Sequence, residues 1–93
     1  MKTIVIDGGC MPDREAVHDY LARRLTLPEY YGRNLDALYD LLCGRGEPTR
    51  LVLYRQEEML AALEQYGQNL LDTLRDAALE NPALVLCCDG EDN

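Results

Sequence analysis

Three short apolar runs punctuate the chain: Thr3–Ile6, Leu51–Tyr54 and Ala83–Cys88. Turn-forming residues bound them, Asp7-Gly8-Gly9 after the first and Asn81-Pro82 before the third, so each reads as a strand. Between them, apolar residues recur at three- and four-residue spacing, which predicts amphipathic helices. Val17, Leu21 and Leu25 form one stripe, with Tyr20 beside it and Glu15, Asp19 and Arg23 on the opposite face. Pro12 is expected at the first helical position. Leu27-Pro28 should end the helix, because a residue before proline disfavours the helical region. Asn34 is a good N-cap for a second helix running to about Cys43, stopped by Gly44 and Gly46. The second strand falls within 50–55. Gln56 to Tyr66 reads as a third helix closed by Gly67 in a left-handed cap. Asn69 then caps a fourth helix reaching about Glu80.

The predicted order is β-α-α-β-α-α-β. Strands joined by long helical crossovers are parallel, and near-continuous apolar runs are expected of strands covered by helices. The fold class is therefore α/β, a small three-stranded parallel sheet packed with about four helices. A chain of 93 residues has room for one domain, 1–93, with a short acidic tail at 89–93.

On a wheel at 100° per residue, Leu35, Leu38 and Leu42 of the second helix share a narrow sector, the expected core stripe. Asp36, Tyr39, Asp40 and Cys43 occupy the opposite one. Two like charges four residues apart cost a helix about 0.2–0.5 kcal/mol. Asp36 recovers part of that near the helix N-terminus, whereas Asp40 lies too far along. An aromatic flanked by two carboxylates suits a binding surface, although a plain solvated face has the same pattern. The fourth helix carries Asp72 and Asp76 with Arg75 between them. Arg45 and Glu47 follow the second helix, where they could border the same surface.

Charge sharpens this picture. Seventeen acids against nine bases give a formal net charge of −8 and a pI near 4.4. That balance argues against direct nucleic-acid binding and against an anionic membrane surface, and favours a basic protein partner. Met1-Lys2 precedes only a short apolar run broken by Asp7, so no export signal is expected. No run approaches the ~20 apolar residues of a membrane helix. The expectation is a cytoplasmic chain that is monomeric when free. Cys10, Cys43, Cys87 and Cys88 lack zinc-type spacing and read as reduced thiols; no metal and no cofactor are expected.

All six aromatic residues are tyrosines. Tyr20, Tyr54 and Tyr66 are expected at the core boundary, and Tyr30 and Tyr31 to anchor their loop or contact a partner. His18 reads as a surface or boundary residue. An enzyme would have to use Asp36 and Asp40 as acid and base, or Cys10 or Cys43 as a nucleophile, and nothing in the pattern places His18 beside either thiol. Gly8-Gly9 hints at a phosphate loop, but no G-x-G-x-x-G or Walker pattern follows. No catalytic residue is assigned.

Leu27-Pro-Glu-Tyr-Tyr-Gly-Arg-Asn-Leu-Asp-Ala-Leu-Tyr-Asp40 resembles the barstar family of intracellular ribonuclease inhibitors. The likeness extends more thinly through Leu51-Val-Leu-Tyr-Arg-Gln56 and Leu74-Arg-Asp-Ala77 to the whole chain. It implies a small parallel sheet with helices around it. It also implies that the second helix and its flanking loops plug a nuclease active site. Carried over by position, the contact surface is Tyr30, Tyr31, Asn34, Asp36, Tyr39, Asp40 and Gly44, with Asp76 from the fourth helix. Asp40 matches the aspartate that enters the phosphate-binding site. A carboxylate on a rigid helix offers acceptor oxygens to the Arg, Lys and His that hold the substrate phosphate. The implied partner is a barnase-type ribonuclease, held in check inside the producing cell as by an immunity protein.

The chain departs from the family pattern at several points. Tyr39 and Arg45 stand where the family has Trp, Arg33 stands where its loop is acidic, and Asp76 replaces Glu. These departures leave a second expectation open, an acidic module of the same fold whose basic partner is not a ribonuclease.

Overall fold

Strand residues point alternately to opposite sides of a sheet, and that alternation decides how this chain folds. The computed structural model describes residues 1–88; the acidic tail at 89–93 lies outside them. β1 (Lys2–Asp7), β2 (Thr49–Tyr54) and β3 (Leu84–Cys88) form one sheet in the order β1-β2-β3. Both pairings are parallel, with Ile4 opposite Leu51 and Leu51 opposite Leu86. Between the strands lie α1 (Arg14–Arg24), α2 (Leu35–Cys43), α3 (Gln56–Leu63) and α4 (Gln65–Glu80), and a single 3-10 turn (Gly8–Cys10) follows β1. The α/β architecture and element order match the expectation.

The helices cover one side of the sheet. Ile4, Ile6, Leu51, Leu53 and Leu84 point into the core. There they meet Val17, Leu21 and Leu25 from α1, Leu38 and Leu42 from α2, and Leu70, Leu74 and Ala77 from α4. Each Val, Leu or Ile side chain among them contributes about 1.5–3 kcal/mol on full burial. The other side of the sheet stays open: Val5, Val85 and Tyr54 are exposed, and so is Cys87. This corrects the expectation of strands covered throughout. A run such as Thr-Ile-Val-Ile looks continuous because valine tolerates both environments. Tyr54 consequently stands half-exposed on the open side rather than at the core boundary.

Several helix ends also differ from expectation. α1 starts at Arg14, not Pro12, because the Asp13 carboxylate accepts the Ala16 amide at 2.8 Å. It stops before Leu27-Pro28: Leu27 N–H donates to the Ala22 carbonyl, with Thr26 at φ 53 between them. That is the six-to-one closure usually built on glycine. The break between α3 and α4 lies at Glu64 (φ 56, ψ −128), so Gly67 and Asn69 both fall inside α4 and cap nothing. Gly67 has a packing role instead. A Cβ there would come within 3.1 Å of the Met59 carbonyl oxygen and the Leu63 side chain, so the missing side chain lets α4 approach α3.

Candidate partner-binding surface

α2 is held at both ends. The Asn34 side-chain oxygen accepts the Ala37 amide at 2.8 Å, capping the first turn, and Arg33 enters it at φ 57. At the other end, the buried Asn81 amide donates to the carbonyls of Leu42 (2.9 Å) and Arg45 (2.8 Å). Leu42 is in the last turn of α2, whose carbonyls lack intrahelical partners, and its oxygen also accepts the Arg45 N–H at 3.3 Å; Arg45 lies just beyond the helix. Asn81 follows directly on α4, so the break read at Asn81-Pro82 also locks the end of α2 to the end of α4. Leu38 and Leu42 fix the rotation of α2 from beneath.

With that rotation set, α2 and α4 enclose a shallow cleft. Leu35, Asp36 and Tyr39 come from α2, and Thr73, Asp76 and Glu80 from α4. Asp36 and Asp76, from two different helices, therefore border one space, with Tyr39 between. Asp40 is exposed one turn further along α2. Among the described residues, no ion pair or side-chain hydrogen bond engages Asp36, Asp40, Asp76 or Glu80. The Tyr39 hydroxyl is pushed up to about 12, first by its hydrogen bond with the Cys43 thiol, then by partial burial and the charges of Cys43, Glu80 and Asp76. It therefore stays protonated amid the acids.

The remaining expected contact residues are scattered in exposure. Tyr30 is 80% exposed and Gly44 is exposed at the end of α2. Asn34 spends its side-chain oxygen on the cap. Tyr31 is only 7% exposed and belongs to the core; little of its ring is left for a partner, and it supports the loop from below. Leu35, assigned to the core stripe, is half-buried at the floor of the cleft. Arg45 does not stand out beside the acids. Its guanidinium turns inward to the Thr49 hydroxyl at 2.9 Å and the Leu25 carbonyl at 3.2 Å. Arg33 stays on the surface, paired with Asp19. Glu80 and Thr73 were missed, although Glu80 lies four residues after Asp76, the spacing of one helix face.

Below the loop, His18 is buried, against the expectation of a surface or boundary residue. Its Nδ1 meets the Tyr31 hydroxyl at 2.5 Å and its Nε2 the Tyr66 hydroxyl at 2.6 Å. A neutral imidazole donates from one nitrogen and accepts at the other. One of the two tyrosine hydroxyls therefore donates to the ring and the other accepts from it. Burial lowers the His18 pKa, Arg33 adds to this, and Asp19 opposes it; burial likewise pushes Tyr31 up to about 12. With both ring nitrogens engaged, His18 has none to activate a thiol.

The Gly8-Gly9 turn holds groups of this chain itself. A Cβ on Gly8 would lie 2.3 Å from the Arg55 carbonyl oxygen. The Arg55 guanidinium grips both Asp7 oxygens, at 3.0 and 2.7 Å. Among the described residues there is no cluster of His, Cys, Asp and Glu fit for a metal ion, and no helix is long and apolar enough to cross a membrane.

The comparisons with known proteins agree with this architecture. The chain is 41% identical over 81 residues to a Bacillus subtilis (strain 168) protein named "Putative ribonuclease inhibitor YrdF", spanning 86% of this chain and 89% of that one. The family described as Barstar (barnase inhibitor) matches residues 1–88, all of the described structure. The chain belongs to the barstar family.

Proposed function

We propose that this protein inhibits a barnase-type ribonuclease without doing chemistry of its own, by laying the outward face of α2 over the enzyme's active site. The observation that carries the reading is the set of unpaired carboxylates around Tyr39. In a chain of this family, Asp36, Asp40 and Asp76 reach the surface, and no cation among the described residues pairs with them. Each ionised carboxylate is an acceptor for the Arg, Lys and His that hold phosphate in a ribonuclease, so the face imitates the substrate backbone. Tyr30, Tyr39 and Gly44 complete the contact. Asn34 and Tyr31 take part by shaping the loop and capping the helix. The net charge of −8 attracts a basic enzyme at long range and raises its association rate. The inward turn of Arg45 removes one of two cations that would have repelled such a partner.

Calorimetric titration against a barnase-type ribonuclease from the same source tests this. The unmodified protein should bind and inhibit. Asp36→Ala and Asp40→Ala should each weaken binding at least tenfold, about 1.4 kcal/mol, with unchanged circular dichroism. Unchanged affinity in the double variant would sink the mechanism. Tight binding to a basic protein without nuclease activity, and inhibition of no ribonuclease, would favour the alternative module.

A further inference from the structure

A second cleft adjoins the acidic one and shares Leu35 and Asp36 with it. Its other walls include Arg14 and Glu15 at the start of α1, Arg33 before α2, and Tyr66 of α4, so two cations stand there against the carboxylates of Glu15 and Asp36. Arg14 is the unusual member. It is the first residue of α1, where the helix dipole disfavours a cation, so helix stability does not account for it. Its guanidinium lies 4.3 Å from the centroid of the Tyr66 ring. That contact restrains the side chain while leaving the in-plane N–H donors free. Among the described residues, no carboxylate pairs with Arg14. The adjacent Arg33 is already matched by Asp19. The Tyr66 hydroxyl, 2.6 Å from Nε2 of His18, holds the ring beneath Arg14 in place.

We infer that this second cleft is a carboxylate-binding subsite of the same partner surface, in which Arg14, restrained on the Tyr66 ring, takes an Asp or Glu side chain of the ribonuclease. The partner's surface is then bipolar. Its cationic phosphate site faces Asp36, Asp40 and Asp76, and an acidic side chain beside that site enters between α1 and α2. This rests on the ribonuclease reading and deepens it. A guanidinium can hold a carboxylate through two parallel hydrogen bonds. An enzyme with a neutral or basic residue at that place would leave Arg14 unpaired or repelled, so the subsite selects among ribonucleases.

The sign of one charge reversal separates this subsite from general attraction. Arg14→Glu makes an acidic inhibitor more acidic, and the overall field alone would then strengthen binding to a basic enzyme. The subsite requires the opposite. In titrations of the full chain against the barnase-type ribonuclease, R14E should weaken binding at least tenfold and R14K less than threefold. One Asp→Lys or Glu→Lys reversal beside the enzyme's active site should restore R14E binding at least fivefold. If R14E does not fold, as judged by circular dichroism, R14Q carries the comparison with a threefold loss as the threshold. Affinity within twofold for R14E, or a loss that no reversal in the enzyme restores, overturns the subsite while a tenfold loss in D40A leaves the ribonuclease reading standing. No binding by the unmodified protein, or no effect of D40A, overturns that reading and the subsite with it.

Discussion

Two groups of polar side chains in this molecule use their hydrogen-bonding capacity in opposite ways. Beneath the loop before α2, His18, Tyr31 and Tyr66 satisfy one another, and at the strand ends Asp7 is held by Arg55 and by the Gly9 amide. On the face of α2 and α4, the carboxylates of Asp36, Asp40 and Asp76 have no such partner among the described residues. The first group pulls ionisation away from ordinary values: the Arg55 guanidinium, with help from the Gly9 amide, lowers the Asp7 pKa, and burial lowers that of His18. Groups satisfied internally hold the fold, and a change there should be felt as lost stability. Groups left unsatisfied at the surface carry little folding energy and are free to act on another molecule. A shared chemical type, carboxylate or tyrosine, does not decide the role; access to an internal partner does.

Tyr31→Phe strikes the first group hardest. It removes the partner of a buried ring nitrogen and should cost about 1–3 kcal/mol of stability in urea unfolding. Affinity for a ribonuclease should hardly change if the correctly folded variant is titrated. A larger loss of affinity than of stability would erase the distinction between the two groups. A smaller effect should come from pH. Because the His18 pKa is lowered in the folded chain, the unfolded chain takes up a proton first as pH falls. Its contribution is whole above the ordinary value of 6.5 and is lost as pH drops through the folded value. Urea midpoints should therefore decline between pH 7.5 and 5.5, and His18→Gln should flatten that decline while lowering stability at pH 7.5. The smallest effect has the opposite sign. Asp40→Asn removes a like-charge neighbour of Asp36 and should leave stability unchanged or raise it by about 0.2–0.5 kcal/mol in thermal unfolding.

Local rules made much of the architecture legible. The stripe Val17-Leu21-Leu25, the Asn34 cap and the β-rich runs each follow from neighbours in sequence, so order and strand direction could be read without a structure. The misplaced ends share a cause. Gly67 and Asn69 have the local character of cap residues, but close packing of α4 on α3 absorbs the glycine and Glu64 takes the break. Glycine at 67 answers to Met59 and Leu63, which no window around it reveals. The contact face was half legible. The outward position of Asp36, Tyr39 and Asp40 follows from the wheel, whereas Glu80 and Leu35 enter the cleft only because α4 crosses beside α2.

By itself the sequence determined the order of helices and strands, the net acidity of the chain, and that two carboxylates and an aromatic share one face of α2. These depend on periodicity, composition and capping, all of them short-range. Only the tertiary structure decided that the sheet is open on one side, that His18 is a buried bridge, that Arg45 turns inward and that Asn81 ties the end of α2 to α4. Each of those depends on residues far apart in the chain: His18 and Tyr66 are separated by 48 in sequence, and Leu42 and Asn81 by 39. A polar side chain is committed or left free only when the core has chosen which distant partners come within hydrogen-bonding reach.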